Sequence, residues 1–289
     1  DDHTIPDGLP PSTRWIAMLT VAISVGMTVL VGGVANVALP TIAHDLNASP
    51  AESIWVVNAY QLAVTVTLLP FASLGDIYGH RRVYCWGVVL FSLASLACAI
   101  APTMTPGAGA RGVRGVWGAV MLAGNGGLFR FIVPRAQAGR GVGCHGPGVT
   151  GCHAAGPSVA AAVLALTSWP WLFYIQLPLG MVSFALSVRF LPRTPLAGAP
   201  FDPPSALLNA LTFGLFITAL DGVGRGQSAL VIGLEFAVCF AIGYAFVRRQ
   251  LGLKGPMLPV DLFATPSYDF FSATPGAAVK QAPAGKCRA

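Results

Sequence analysis

Two long apolar runs without a charged residue constrain the fold of this chain more than any other feature. Residues 54–74 and residues 83–101 contain no Asp, Glu, Lys or Arg. A helix needs about 20 apolar residues to cross the hydrocarbon core of a bilayer, because it rises about 1.5 Å per residue. Both runs are therefore predicted to cross a membrane as helices, joined by a short charged turn.

The composition of the whole chain also indicates a membrane protein. Hydrophobic residues make up 54% of the 289 residues and charged residues only 10%, whereas soluble domains have about 25% charged residues. The net charge of +6 is compatible with nucleic-acid binding, but the basic residues occur in pairs at the ends of apolar runs and form no continuous stripe. We therefore predict an all-α integral membrane protein without a nucleic-acid partner.

Further apolar runs bring the expected number of crossings to eight. Three of them are weaker: one contains Arg130, one follows a glycine-rich stretch, and one carries Asp221 near its end. The clear runs are residues 15–39, 54–74, 83–101, 169–191 and 229–247, and the weaker runs are residues 116–133, 154–168 and 206–223.

The positions of the cations predict the orientation of these crossings. Cytoplasmic loops of membrane proteins carry an excess of Lys and Arg. Alternate loops hold most of the cations, namely Arg14, Arg81, Arg82, Arg135, Arg140, Arg189, Arg193, Arg248, Arg249 and Lys254. Both termini are therefore expected in the cytoplasm. Residues 1–13 are interpreted as a disordered cytoplasmic tail, and the first run is too long for a cleavable signal peptide.

The charged turn between the two opening runs contains candidate functional residues. Gly75 and Gly79 are four residues apart, which allows two backbones to approach closely. Asp76 can cap a helix N-terminus or pair with Arg81 or Arg82. Such a turn can act as a conformational latch. A simple solvated hairpin with cytoplasmic arginines, possible in any multispan protein, is the alternative interpretation.

Several segments resemble, in the same order, the fourteen-span drug/proton antiporter branch of the major facilitator superfamily. The charged turn resembles the loop between the second and third helices of that superfamily. The other segments are Asn-Val-Ala-Leu-Pro-Thr-Ile-Ala at 36–43, Trp-Val-Val-Asn-Ala-Tyr at 55–60, residues 169–180 and Leu-Pro-Val-Asp-Leu-Phe at 258–263.

The resemblance implies a fold and a domain organisation. We expect an N-terminal six-helix bundle over residues 14–193, followed by two further transmembrane helices over residues 194–249. Residues 250–289 are expected to form a cytoplasmic loop and a disordered or aberrant tail. The second bundle of the family is expected to be missing, so that the chain is interpreted as truncated.

The same resemblance implies a function. It is proton-coupled efflux of lipophilic or cationic small molecules by alternating access, in a bacterial inner membrane. The expected partners are the substrate, protons, the lipid bilayer and the missing C-terminal bundle, and no cofactor or metal is expected. An enzyme is not expected, because the five histidines form no nucleophile-base pairing. A nonfunctional or structural membrane fragment is the alternative.

The resemblance also assigns roles to individual residues. Asp76 and Arg81 would form the latch, and Arg111 would support coupling. Gly156 and Pro157 would kink the fifth span, although a Pro at an ordinary helix end is the alternative. Guesses for polar contact with the substrate pathway are Asn36, Asn58, Tyr60 and Gln61.

Two departures from the family pattern affect these expectations. Val31 stands where the family commonly has a titratable Asp, which leaves Glu235 as a coupling candidate; it could instead face a neighbouring helix or be a sequence error. Arg114 and Trp117 replace a usual Gln and Gly in the fourth span. Reading-frame slips within residues 103–153 are one hypothesis for this.

The region of departures also contains two Cys-His pairs. Cys144 with His145 and Cys152 with His153 supply side chains of the types that bind zinc. Their spacing matches no zinc pattern. Inert small apolar cysteines are therefore the favoured interpretation.

Overall fold

The computed structural model describes residues 8–45, 50–101, 103–134, 138–194, 196, 201–224 and 226–253. Every regular element in these ranges is a helix. The helices are α1 (Pro11–Asp45), α2 (Pro50–Tyr78), α3 (His80–Ala99), α4 (Met104–Ile132), α5 (Ala138–Leu166), α6 (Trp171–Tyr174), α7 (Gln176–Phe190), α8 (Pro203–Gly224) and α9 (Ala229–Leu251).

Each predicted crossing corresponds to a helix, except that the sixth predicted crossing corresponds to α6 and α7 together. Six of these helical segments in the described ranges are long and apolar enough to span a membrane. The weak run at residues 206–223 is one of the six, as α8. Helices α4 and α5 fall outside that group, as the weakness of their sequences predicted.

Helix α4 begins at Met104, well before the apolar run at residues 116–133 that predicted it. The added turns are rich in glycine and arginine rather than in apolar residues. Backbone polar groups inside a bilayer must bond within their own segment, which favours helix even where the side chains are unsuited to lipid. The earlier start brings Arg111 and Arg114 inside the helix.

Helix α4 occupies the centre of the bundle. It packs most extensively against α2 and α3, and it also contacts α1. Helix α1 packs against α5 and α7, and α3 packs against α7. The last two helices form a pair, in which α8 contacts α2 and α9 packs on α8.

One end of the bundle, here called the basic end, collects most exposed cations. The amide of Leu9 donates to the carbonyl of Ile132 at 3.1 Å, which places the start of α1 beside the end of α4. Arg249 donates to Asp202 at 2.9 Å and joins the end of α9 to the start of α8. This contact lowers the pKa of the Asp202 carboxyl to about 2. The cations of the basic end are Arg14, Arg81, Arg82, Arg130, Arg189, Arg193, Arg248 and Arg249.

Glycines allow α4 to approach α2 at backbone distance. A methyl group at Gly115 would lie 2.5 Å from the carbonyl oxygen of Tyr60 and 2.9 Å from the Cβ of Ala63. Small residues at helix interfaces permit this spacing in membranes, where dispersion contacts drive association. Gly112, one turn earlier, would meet no atom within 4 Å.

This difference predicts opposite effects for two identical substitutions in α4. Gly115→Ala should destabilise the protein by about 1–3 kcal/mol, because the added methyl overpacks the α2 interface. Gly112→Ala should be neutral or stabilising, since Ala favours helix by up to about 1 kcal/mol over Gly. Thermal unfolding in detergent measures both variants. Equal melting temperatures for the two variants would contradict the close contact between α4 and α2 at Gly115.

Candidate functional site

Helix α4 places two arginines in the core of the bundle. Arg111 and Arg114 are three residues apart and therefore lie on one face of the helix. Arg114 is 0% exposed and Arg111 is 3% exposed. Charged side chains within membrane spans are costly, and in such proteins they mark functional sites.

Arg114 is held by aromatic faces and one amide. Its guanidinium carbon lies 4.8 Å from the ring centroid of Phe91 on α3 and 5.2 Å from that of Phe173 on α6. A terminal nitrogen donates to the side-chain oxygen of Gln176. Ser95 donates to the same oxygen at 3.4 Å. The break between α6 and α7 thus supplies both an aromatic face and an acceptor.

Arg111 is held less completely than Arg114. Its guanidinium carbon lies 5.6 Å from the Phe173 centroid. In the described ranges both of its terminal nitrogens are buried without a hydrogen-bond partner, whereas Arg114 lacks a partner at Nε and at one terminal nitrogen but bonds through the other. The buried Tyr60 of α2 lies within electrostatic range of both guanidinium groups. Arg111 therefore has donors available for another group.

In the described ranges, the acidic side chains with known contacts bond to residues other than the two arginines. Asp76 contacts His80, and Asp202 contacts Arg249. Asp221 accepts a hydrogen bond from Asn58 at 3.0 Å. No ion pair to Arg111 or Arg114 occurs in the described ranges. Within the part of the chain that the structure describes, the site thus carries positive charge without an acidic partner.

Glu235, the predicted coupling residue, is not brought to the arginine pair. It lies on α9, which packs on α8. One of its carboxyl oxygens is buried without a hydrogen-bond partner. Its coupling role stays a prediction.

The predicted latch has contacts that differ from those expected. Gly75 and Asp76 belong to the last turn of α2, and Asp76 bonds to the Nε2 atom of His80 at 3.0 Å rather than to Arg81 or Arg82. Arg81 instead donates to the carbonyl of Val188 on α7. The latch role stays a prediction.

His80 fixes the turn between α2 and α3 against α4. A methyl group at Gly75 would lie 2.5 Å from the His80 ring, and one at Gly127 of α4 would lie 2.3 Å from it. Gly79 has a φ of 92°, a left-handed conformation that favours glycine. The two predicted latch glycines are therefore required by the packing and the backbone at this turn.

The remaining predicted residues are dispersed. Gly156 is buried and Pro157 is exposed, within a continuous α5. Asn58 bonds to Asp221 and so joins α2 to α8. Gln61 is exposed next to the buried Tyr60. The structure does not describe the side chains of Asn36, Cys144, His145 and His153. The roles predicted for Asn36 and for the two Cys-His pairs therefore stay predictions.

Sequence reasoning missed a buried polar seam between α1, α3, α4 and α7. Ser24 donates to Asn125 of α4 at 3.3 Å. The hydroxyl of Tyr84 lies 3.4 Å from that of Ser183 and 3.4 Å from the carbonyl of Thr20. The sequence signal for this seam is the polar spacing on α1, where Thr20, Ser24 and Thr28 recur every four residues.

Comparison with known proteins supplies the family. A family model described as Major Facilitator Superfamily matches residues 21–204. The chain belongs to this superfamily. Together with its apolar helices, this membership makes it a multi-pass membrane protein of a transporter family.

Individual relatives are similar over most of the chain. It is 50% identical over 264 residues to the uncharacterized transporter YebQ of Escherichia coli K12, covering 91% of this chain and 58% of the relative. It is 32% identical to the multidrug efflux pump LfrA of Mycolicibacterium smegmatis, covering 90% and 53%. It is 30% identical to the riboflavin transporter RibZ of Clostridioides difficile, covering 86% and 54%. The chain thus spans little more than half the length of these relatives.

The burial of Arg114 predicts a stabilising substitution. Arg114→Gln should raise the melting temperature by at least about 2 °C, because removing a buried charge without an acidic partner in the described ranges gains several kcal/mol and the lost aromatic contacts are worth about 2 kcal/mol or less. Thermal unfolding in detergent measures the change. Arg130→Gln, at an exposed position of the same helix, is the control and should be near neutral. A lower melting temperature for Arg114→Gln would contradict this assignment.

Proposed function

We propose that this chain forms part of a proton-coupled exporter of lipophilic small molecules, including cations, that works by alternating access. The similarity to proteins named as multidrug efflux proteins supports this most. Besides LfrA, these include the putative multidrug resistance protein MdtD of Salmonella paratyphi B, which is 34% identical over 90% of this chain. Within the superfamily, the proposal places the chain in the fourteen-span drug/proton antiporter branch.

The proposed topology puts the basic end in the cytoplasm of a bacterial inner membrane, with both termini on that side. The accumulation of arginine at one end of the bundle supports this, because cytoplasmic loops retain Lys and Arg. Residues 14–193 form the first bundle in this proposal, and residues 194–249 form two additional spans.

The substrate cavity is proposed to need a second bundle. Major facilitator folds build the substrate site between two related bundles near the bilayer midplane. The relatives are nearly twice as long as their matched parts, which leaves room for such a bundle. We propose that polar side chains of this chain line its half of the cavity. They are Asn36, Asn58, Tyr60 and Gln61.

Arg111 is proposed as the residue that links proton binding to movement. Its two unpartnered nitrogens can receive a carboxylate in another conformation of the cycle. A carboxylate beside a guanidinium stays ionised, and separation from it favours proton uptake. Movement of an acid toward and away from Arg111 would therefore exchange a proton. Glu235 and an acid of the second bundle are the proposed candidates.

The latch and the kink are proposed to control the change of conformation. In the present state Asp76 is held by His80, and Arg81 is held by Val188. In the proposed alternate state Asp76 pairs with Arg81 or Arg82 across the turn between Gly75 and Gly79.

Gly156 and Pro157 would allow α5 to bend against α1, with which it packs.

Ethidium accumulation in efflux-deficient bacteria tests the proposal. Cells that express the chain together with the C-terminal half of the relative LfrA, as the second bundle, should accumulate less ethidium than cells that express that half alone, and a protonophore should abolish the difference. Arg111→Gln should slow efflux at least about tenfold, which corresponds to about 1.4 kcal/mol on a rate. Riboflavin should be measured in parallel, because one relative is named a riboflavin transporter.

Arg130→Gln is the matched control, since it removes one exposed arginine from the same helix. It should export ethidium at the unsubstituted rate. Efflux by Arg111→Gln equal to that of Arg130→Gln would contradict the coupling role. No export when the unsubstituted chain is combined with that half of LfrA, at verified membrane expression of both, would contradict the transport proposal and favour a structural fragment that does not transport.

A further inference from the structure

A cavity of about 650 Å³ lies between α3 and α7 at the basic end. The transport proposal uses two of its lining residues, Arg81 and Arg82, in the latch but assigns no ligand to the cavity. Its lining includes Arg81, Arg82, Arg193, Trp86, Phe184 and Val188. Because α3 starts and α7 ends at this level, both helices contribute to its rim and to its walls.

The rim of the cavity is cationic. Arg82 and Arg193 are exposed, whereas Arg81 has one terminal nitrogen bonded to the carbonyl of Val188. The lining residues belong to the described part of the chain, and none of them is acidic. Three guanidinium groups around one concave site focus a positive potential, which attracts anions.

The walls of the same cavity are apolar and face outward. Trp86 is 66% exposed, Val188 is 48% exposed and Phe184 is 39% exposed. Trp86 follows Arg82 by four residues, so it lies about 6 Å deeper along α3. The cavity therefore changes from cationic at the rim to apolar toward the bilayer core, and Trp lies at the boundary, where its amphipathic ring is favoured.

We propose that this cavity binds the phosphodiester headgroup of an anionic phospholipid, with Arg82 and Arg193 as the phosphate ligands. Guanidinium groups form paired hydrogen bonds with phosphate oxygens. The acyl chains lie along Trp86 and Phe184. A soluble phosphate would leave this apolar wall unused, and a zwitterionic lipid would leave the excess positive charge uncompensated. Basic cavities between transmembrane helices suit such headgroups.

Native mass spectrometry of the whole chain in detergent, with added dioleoyl phosphatidylglycerol or dioleoyl phosphatidylcholine, tests the site. The unsubstituted chain should retain phosphatidylglycerol preferentially. The double variant Arg82→Gln/Arg193→Gln should bind it more weakly by about fivefold for each arginine removed. Arg130→Gln/Arg248→Gln removes two exposed arginines from the same end, outside the cavity lining, and should retain the lipid like the unsubstituted chain.

A fluorescence measurement keeps the test independent of the folding of the double variant. Brominated phosphatidylglycerol should quench the tryptophan emission of the chain more than brominated phosphatidylcholine does. Trp86→Phe should remove this excess, because Trp86 lies on the cavity wall.

Three results would overturn the proposal. They are equal retention of the two lipids by the unsubstituted chain, equal loss in the two double variants, and an undiminished quenching excess in Trp86→Phe. Displacement of bound phosphatidylglycerol by millimolar inorganic phosphate would assign the site to a soluble anion and would also overturn it.

Discussion

The close contact of α4 with α2 and α3 is the interaction on which the other features of the bundle depend. A glycine at position 115 lets the α4 backbone approach the carbonyl of Tyr60, and Gly87 of α3 is close enough that a methyl group there would lie 2.9 Å from Val120. At this spacing, side chains of α4 that do not suit lipid are enclosed by protein. Arg111 and Arg114 are the outcome, as cations buried inside the bundle.

The structure compensates these cations by polarisable surfaces rather than by acids in the described ranges. Phe91 and Phe173 present ring faces to Arg114, and Gln176 supplies a neutral acceptor. Arg111 shares Phe173 but keeps unpartnered nitrogens. Arg114 also keeps two unpartnered nitrogens, but it bonds to Gln176 through its third. The proposed coupling role is therefore given to Arg111, whose two terminal nitrogens have no partner in the described ranges.

Sequence reasoning predicted the helices well, because the length and composition of apolar runs determine them locally. It placed the start of α4 too late, because a segment rich in glycine and arginine is not apolar enough to be predicted as a span. Such a segment can still be helical, since the backbone inside a bilayer must form its hydrogen bonds within its own segment. It selected Arg111 through family resemblance, whereas the complete burial of Arg114 had no local signal.

The Asn58–Asp221 hydrogen bond joins residues 163 positions apart, and such a contact depends on how α8 packs on α2. The contact between Asp76 and His80 was accessible from their spacing of four residues on successive turns, but the arginines nearby were favoured.

The most direct test of this account is the reactivity of each arginine toward phenylglyoxal, a water-soluble arginine reagent, in the folded chain in detergent, read by peptide mass spectrometry. Arg111 and Arg114 should stay unmodified while the exposed Arg82, Arg130, Arg193 and Arg248 react, and all of them should react after denaturation. Modification of Arg111 and Arg114 in the folded protein at the rate of Arg248 would contradict the buried arginine pair and the coupling role that rests on it.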